Sequence, residues 1–260
     1  MRISFDMCGV IGVQLERVTE ENIQSVRNLF LQSMIRGKHA TGVTYFNGEQ
    51  LVTIKEPIPA DKFIEKHDPS DWIYKHDMGS SKENLPCIAF VGHTRYSTSD
   101  LHTNQPFVGC IEEQQVAVAH NGVISQEAQD TWEYDTISAN DSELLLRCIQ
   151  DGKHPLEMYA DRSMAVTAIE TSNRVNKDGT KGAKFASVHG YRNHERPLWK
   201  VYESRGNKGI IFASTADILH RSGFAGASRL DPFVEYSRGG LSRRWHPMHL
   251  GTEEPKDLQP

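Results

Sequence analysis

Apolar positions along this chain fall into short runs more often than into long helical stripes. The run CGVIGVQL predicts a buried strand, and CIAFVGHTR and QQVAVAHNG predict two more. Each of the latter pair passes from apolar to polar residues at its end, where a sheet offers side chains to a ligand. TEENIQSVRNLFLQSMIRG carries Ile23, Val26, Phe30 and Met34 at helical spacing, with Thr19 as N-cap, Glu20 and Glu21 in the first turn, and Gly37 beyond. TGVTYFNGEQLVTIKE places Asn47-Gly48 between two β-rich runs and predicts a tight hairpin. NDSELLLRCIQDG predicts a helix with a polar cap and Gly152 as its stop. RSMAVTAIET, AKFASVHG, PLWKVYES, GIIFAS and DPFVEYS then read as strands, interrupted by a short helix in TADILHRSG. From Pro57 to Pro86 the chain turns polar, which predicts a surface excursion with one short helix around Asp61 to His67.

Strands thus outnumber helices and seldom alternate with them, which argues against a doubly wound parallel sheet. The pattern predicts an α+β arrangement of two mostly antiparallel sheets covered by helices. A chain of 260 residues is long enough to bury a real core, and one large domain is the expectation. No internal repeat or low-complexity tract interrupts it. SRGGLSRRWH and the polar residues after it read as a solvated C-terminal tail.

Composition narrows the function. The hydrophobic fraction of 38% contains no apolar run long enough to span a bilayer, so no membrane association is expected. A net charge of -5 argues against direct nucleic-acid binding, which depends on clustered Lys and Arg. Asp6 interrupts the apolar start and no small-residue cleavage site follows, which argues against a secretory signal. The four cysteines form neither a disulfide framework nor a metal spacing, so a reducing cytoplasm fits best. The 12 histidines form no H-x-x-x-H pair and no Cys/His cluster, and no phosphate-binding glycine loop is present, so neither metal nor cofactor is expected.

Cys8, followed by Gly9, supplies a thiol that attacks best as the thiolate and needs a base to become one. Were the preceding peptide bond absent, the α-amine of Cys8 could take that proton, since a free α-amino group ordinarily titrates at about 7.7 to 8.0. Asn121 and Gly122 can aim a side-chain amide and a backbone N–H at a developing oxyanion. Arg95 can clamp a carboxylate through its planar fork, Thr98 can add a hydroxyl, and Asp141 can answer an ammonium. Taken singly, these read as an ordinary turn, a surface salt bridge and a helix N-terminal anion; only their joint occurrence points to amide hydrolysis. Cys87, Cys110 and Cys148 lie in or beside apolar runs and read as packing residues.

The ordered segments CGVIGV, RGKHATGV, GHTRYST with NQPF, HNGVIS and NDSE, and farther on SMAVTAI, RNHERPL and FASTADIL, resemble the class II glutamine amidotransferases. Their glutaminase domain belongs to the N-terminal nucleophile hydrolases, and the resemblance runs from Cys8 to about Ser237. It implies a four-layer αββα sandwich and hydrolysis of L-glutamine to glutamate and ammonia. On this resemblance Cys8 is the nucleophile, Asn121 and Gly122 form the oxyanion hole, and Arg95, Thr98, Asp141 and the Gly122 carbonyl hold the amino-acid end. Arg36 supports the nucleophile's surroundings. The chain departs from the family in having Tyr96 after the loop arginine, where a Trp is common, and Ser99-Asp100 in place of His-Gly.

The implied division is a leader or propeptide at 1–7, a glutaminase domain at 8–237 and a tail at 238–260. Cys8 becomes terminal either by cleavage of MRISFDM or by translation from Met7 with methionine removal. The residues after the match are too few for a second catalytic domain, so the expected partner is a separate ammonia-accepting synthase subunit. Two other readings stay open: hydrolysis of another γ-glutamyl amide or isopeptide, and a catalytically silent scaffold or regulator with Cys8 blocked by its leader.

Overall fold

The computed structural model describes residues 8–77, 84–96, 104–175, 179–203, 209–238 and 240–244. The first apolar run forms β1 (Gly9–Glu16), followed by α1 (Glu20–Ser33). At its start the Asn22 N–H donates to the Thr19 hydroxyl at 3.3 Å, and the Thr19 N–H donates to the Asn22 side chain at 3.0 Å. This is a capping box closed by Asn in place of the usual Glu or Gln. The hairpin of β2 (Ala40–Phe46) and β3 (Leu51–Glu56) turns through four residues, since Phe46 pairs with Leu51. Asn47 Oδ1 organises that loop by accepting from the N–H groups of Glu49 at 3.0 Å and Gln50 at 2.9 Å.

The polar stretch after Pro57 is more than a surface excursion. It contains α2 (Ala60–Lys66), a 3-10 turn at Pro69–Trp72 and β4 (Tyr74–Asp77). Trp72 is only 1% exposed and packs 5.6 Å from Phe30, 5.8 Å from Tyr45 and 5.3 Å from Phe90, measured between ring centroids. Trp72, together with Phe63 and Ile64 of α2, therefore anchors a segment whose average composition is that of a loop.

The chain continues through β5 (Asn84–Arg95), β6 (Phe107–Ile111), β7 (Gln114–Val123), α3 (Glu143–Gln150) and α4 (Pro155–Met158). Next come β8 (Ser163–Val175), β9 (Lys181–Arg192), β10 (Trp199–Glu203), β11 (Gly209–Ala213) and α5 (Ala216–Arg221). β12 (Ser228–Arg229), β13 (Val234–Ser237) and β14 (Gly240–Arg244) complete it. One sheet has the order β12-β10-β11-β1-β5-β2-β3, with β4 alongside the start of β5; the other runs β14-β13-β9-β8-β7-β6. The pairings are antiparallel throughout the described residues. β14 pairs with β13, so a strand occupies the start of the segment expected to be tail.

Three apolar layers separate four layers of structure. Ile11, Val13 and Leu15 of β1 pack with Val26, Leu29 and Phe30 of α1, and with Phe63 and Ile218 of the neighbouring helices. Val10, on the other face of β1, joins Ala119, Ala165, Val188 and Phe212 between the two sheets. Val118, Met164 and Val166 meet Leu144, Leu145 and Leu156 of α3 and α4 on the far side. The α+β sandwich expected from the sequence is thus realised as helices, sheet, sheet, helices. Polar bonds also tie the sheets together: Gln14 donates to the Ala186 carbonyl at 3.2 Å and accepts from the Val188 N–H at 3.0 Å, and Thr167 donates to the Ile11 carbonyl at 3.0 Å.

Candidate functional site

Cys8 lies at the head of β1, half-buried, where the ends of α1 and β5 converge. Its neighbour has to be glycine. A Cβ on Gly9 would strike Thr94 Oγ1 and come within 3.3 Å of both Arg36 Cβ and the Ser33 carbonyl. Thr94 in turn donates to that carbonyl at 3.0 Å, which locks the end of α1 to the end of β5. Gly37 lies against the Arg95–Tyr96 peptide, which a side chain there would overlap, and the His39 N–H donates to the Arg95 carbonyl at 3.0 Å. The Arg-Gly segment and the GHTRY segment are therefore two halves of one wall beside the cysteine.

The Cys8 sulfur points its S–H toward the Tyr96 carbonyl at 3.8 Å. Burial pushes the thiol pKa up. The contact with Tyr96 and the positive charges of Arg95 and Arg36 pull it back, while Asp141 adds to the rise. The net direction is upward, so the sulfur at rest is a thiol and needs a base before it can attack. Arg36 has Nε and Nη2 buried with no hydrogen-bond partner among the described residues. Burial and the nearby charge of Arg196 lower its pKa, partly offset by Cys8.

Across from β1, Asn121 and Gly122 lie toward the end of β7, paired with Ala165 and Met164 of β8. Asn121 is 2% exposed, and its Nδ2 is buried without a partner among the described residues. A buried donor left unpaired costs about 1–3 kcal/mol, so a structure that keeps one has a use for it. Gly122 has φ +152°, and a Cβ there would strike the Ser163 carbonyl and lie 2.7 Å from His120 Nε2. No other residue fits that backbone.

Asp141 immediately precedes Ser142, the N-cap of α3, and its Oδ2 accepts from the N–H groups of Ile124 at 2.5 Å and Ser125 at 3.1 Å. Among the described residues both bonds fall on Oδ2. Glu143, 3% exposed, accepts from the N–H groups of Ile137 at 3.0 Å and Ser138 at 2.9 Å and pairs with Arg147 at 2.8 Å. It braces the loop that delivers Asp141. Arg95, 6% exposed, ends β5.

The histidines of the two motifs are both buried. Burial, reinforced by the Arg95 charge, pushes His93 down to about 3. Burial also lowers His120, against the pull of Asp141.

The structure therefore places Arg36, Arg95 and Asp141 within electrostatic reach of Cys8. Asn121 and Gly122 are tied to the same end of the sandwich by the bonds from Asp141 to the backbone just beyond them. Thr98 lies outside the described residues. Sequence reasoning missed the Tyr96 carbonyl, which no side-chain pattern could reveal, and it missed Arg196 and Ser142. Arg196 donates to Ser163 Oγ at 2.7 Å and contributes charge at both Arg36 and His120. Its RNHERPL segment carried no chemistry that could be read without the fold. Among the described residues, no group of His, Cys, Asp and Glu forms a metal site, and no helix is long and apolar enough to cross a membrane.

No protein-family model matches the chain. Over 149 residues it is 26% identical to the amidophosphoribosyltransferase of Methanothermobacter thermautotrophicus, covering 54% of this chain and 28% of that protein. An "allosteric regulatory enzyme of purine biosynthesis" superposes with a TM-score of 0.60 at 17% identity, over 90% of this chain and 48% of the other. The glutamine phosphoribosylpyrophosphate amidotransferase of B. subtilis, in complex with ADP and GMP, superposes with a TM-score of 0.57, also at 17% identity and with the same coverage. The chain spans less than a third of the archaeal relative and about half of each solved structure. At this identity the likeness establishes the fold alone: the chain carries the two-sheet antiparallel sandwich found in these two solved enzymes, as the sequence resemblance implied.

Proposed function

We infer that this protein is a glutaminase of the class II amidotransferase type, hydrolysing L-glutamine to glutamate and ammonia. The observation that carries the reading is the Cys8 sulfur in the field of Arg95, Arg36 and Asp141, at the end of the sandwich where Asn121 buries a donor that has no partner among the described residues. Arg95, with Thr98, takes the α-carboxylate of glutamine through paired N–H bonds, and Asp141 Oδ1 with the Gly122 carbonyl takes the α-ammonium. The α-amine of Cys8, freed from residues 1–7, accepts the thiol proton, and the thiolate adds to the side-chain carbonyl carbon. Asn121 Nδ2 and the Gly122 N–H stabilise the oxyanion. The amine returns its proton to the departing nitrogen, ammonia leaves, and water hydrolyses the thioester to glutamate and free Cys8.

The ammonia goes to a separate synthase partner in this reading. In this reading the protein acts in a reducing compartment. The test is incubation with a glutamine-mimicking electrophile followed by mass mapping. One adduct on Cys8, blocked by excess glutamine and absent from Arg95→Ala, supports the assignment; labelling of Cys87, Cys110 or Cys148 instead, or no protection by glutamine, overturns it.

A further inference from the structure

Asn121 and Gly122 sit between two bracing points supplied by consecutive residues at the start of α3. On one flank the His120 N–H donates to Gln105 Oε1 at 2.6 Å. That bond orients the Gln105 amide, whose Nε2 donates to Ser142 Oγ at 2.9 Å. Ser142 Oγ also lies 2.9 Å from His120 Nδ1, and His120 Nε2 lies 3.3 Å from the Ser163 carbonyl. A carbonyl only accepts, so Nε2 carries the proton of the neutral ring and Nδ1 accepts from the Ser142 hydroxyl. Gln105, His120 and Ser142 thus close a ring of three hydrogen bonds in which each donor has one acceptor. On the other flank, Asp141 accepts from Ile124 and Ser125 as described. Ser142 occupies the N-cap position of α3, where a serine hydroxyl ordinarily accepts from the helix's own N–H groups; it makes no such bond. The hydroxyl serves the oxyanion segment instead.

We propose that Asp141 and Ser142 form one staple across the Asn121–Gly122 segment, so that gripping the substrate's ammonium and aligning the oxyanion donors are a single mechanical event. This rests on the glutaminase reading. Gln105, His120 and Ser142 are positioning residues in it, touching no substrate themselves. The substrate class follows: the α-amino group of glutamine serves turnover as well as affinity, because it holds the element that aims Asn121.

The experiment compares the full chain with Ser142→Ala and Ser142→Thr by hydrogen–deuterium exchange over residues 120–125 and by glutamine kinetics. In Ser142→Ala, exchange is expected to quicken about tenfold and kcat to fall 10- to 100-fold, with KM changed less than threefold; Ser142→Thr, which keeps the hydroxyl, recovers most of both. Gln105→Glu, similar in shape but without the donor, carries the same expectation should Ser142→Ala not fold. Glutamine lacking its α-amino group is expected to lose kcat in the wild type, beyond any rise in KM. Unchanged exchange in Ser142→Ala, a change confined to KM, or full kcat on the desamino substrate overturns the staple. If the wild type turns over no glutamine, the glutaminase reading falls separately, and exchange decides the staple: faster in Ala and restored in Thr supports it.

Discussion

Asn121 and Gly37 show how much a single position carries. Among the described residues the Asn121 amide Nδ2 is buried with no hydrogen-bond partner, which is a cost to the folded state. Asn121→Ala is therefore expected to lower kcat by about 10²–10³-fold, the usual loss of one oxyanion donor, while leaving the urea midpoint unchanged or slightly raised. A lowered midpoint with intact kcat would show that the amide serves folding only. Gly37 works by absence, since any Cβ would overlap the Arg95–Tyr96 peptide, which cannot rotate out of the way. Gly37→Ala is expected to cost about 1–3 kcal/mol of stability and, by displacing Arg95, to raise the KM for glutamine. Equilibrium unfolding and steady-state kinetics on the same preparation check both. Cys8, and the Arg36, Arg95 and Asp141 that the structure places within its electrostatic reach, could be singled out as candidates because each has distinctive chemistry. Tyr96 could not, since it contributes a backbone carbonyl that every residue possesses.

Elements were most legible where the pattern and its punctuation agreed. Thr19, the apolar stripe of α1 and the alternation around Asn47-Gly48 each predicted the element that forms. The stretch after Pro57 departs from its expectation because composition averages over a segment, whereas packing is decided by its few large side chains. Trp72 fills a pocket among Phe30, Tyr45 and Phe90, and Trp72→Ala is expected to destabilise the fold by about 3–5 kcal/mol, read from the shift in denaturant midpoint. A loss under about 1 kcal/mol would return the segment to the surface. β14 escaped notice for a related reason: SRGGLSRRWH has no apolar alternation, and only its pairing with β13 makes it a strand.

On the scale of the whole molecule, the sheet that carries Asn121 also holds a charge cluster with no counterpart at the proposed site. His189 stands 3.0 Å from Glu170 and 2.8 Å from Glu235. Burial lowers its pKa, but the two carboxylates outweigh burial and raise it to about 9. A raised folded-state pKa contributes stability that is complete below the unfolded value of about 6.5 and is lost as pH climbs through about 9. With Glu170 45% exposed and screened by water, the loss is expected to be roughly 2 kcal/mol, and His189→Gln flattens the profile; an equal slope in both proteins would remove the cluster from the account. The central claim concerns the opposite demand, a sulfur that burial keeps protonated until a base appears beside it. The most direct test is intact-mass analysis of the purified protein alongside its glutaminase rate. Activity is expected only from molecules that begin at Cys8, in proportion to their fraction; robust ammonia release from a chain that still begins at Met1 would contradict the proposed base.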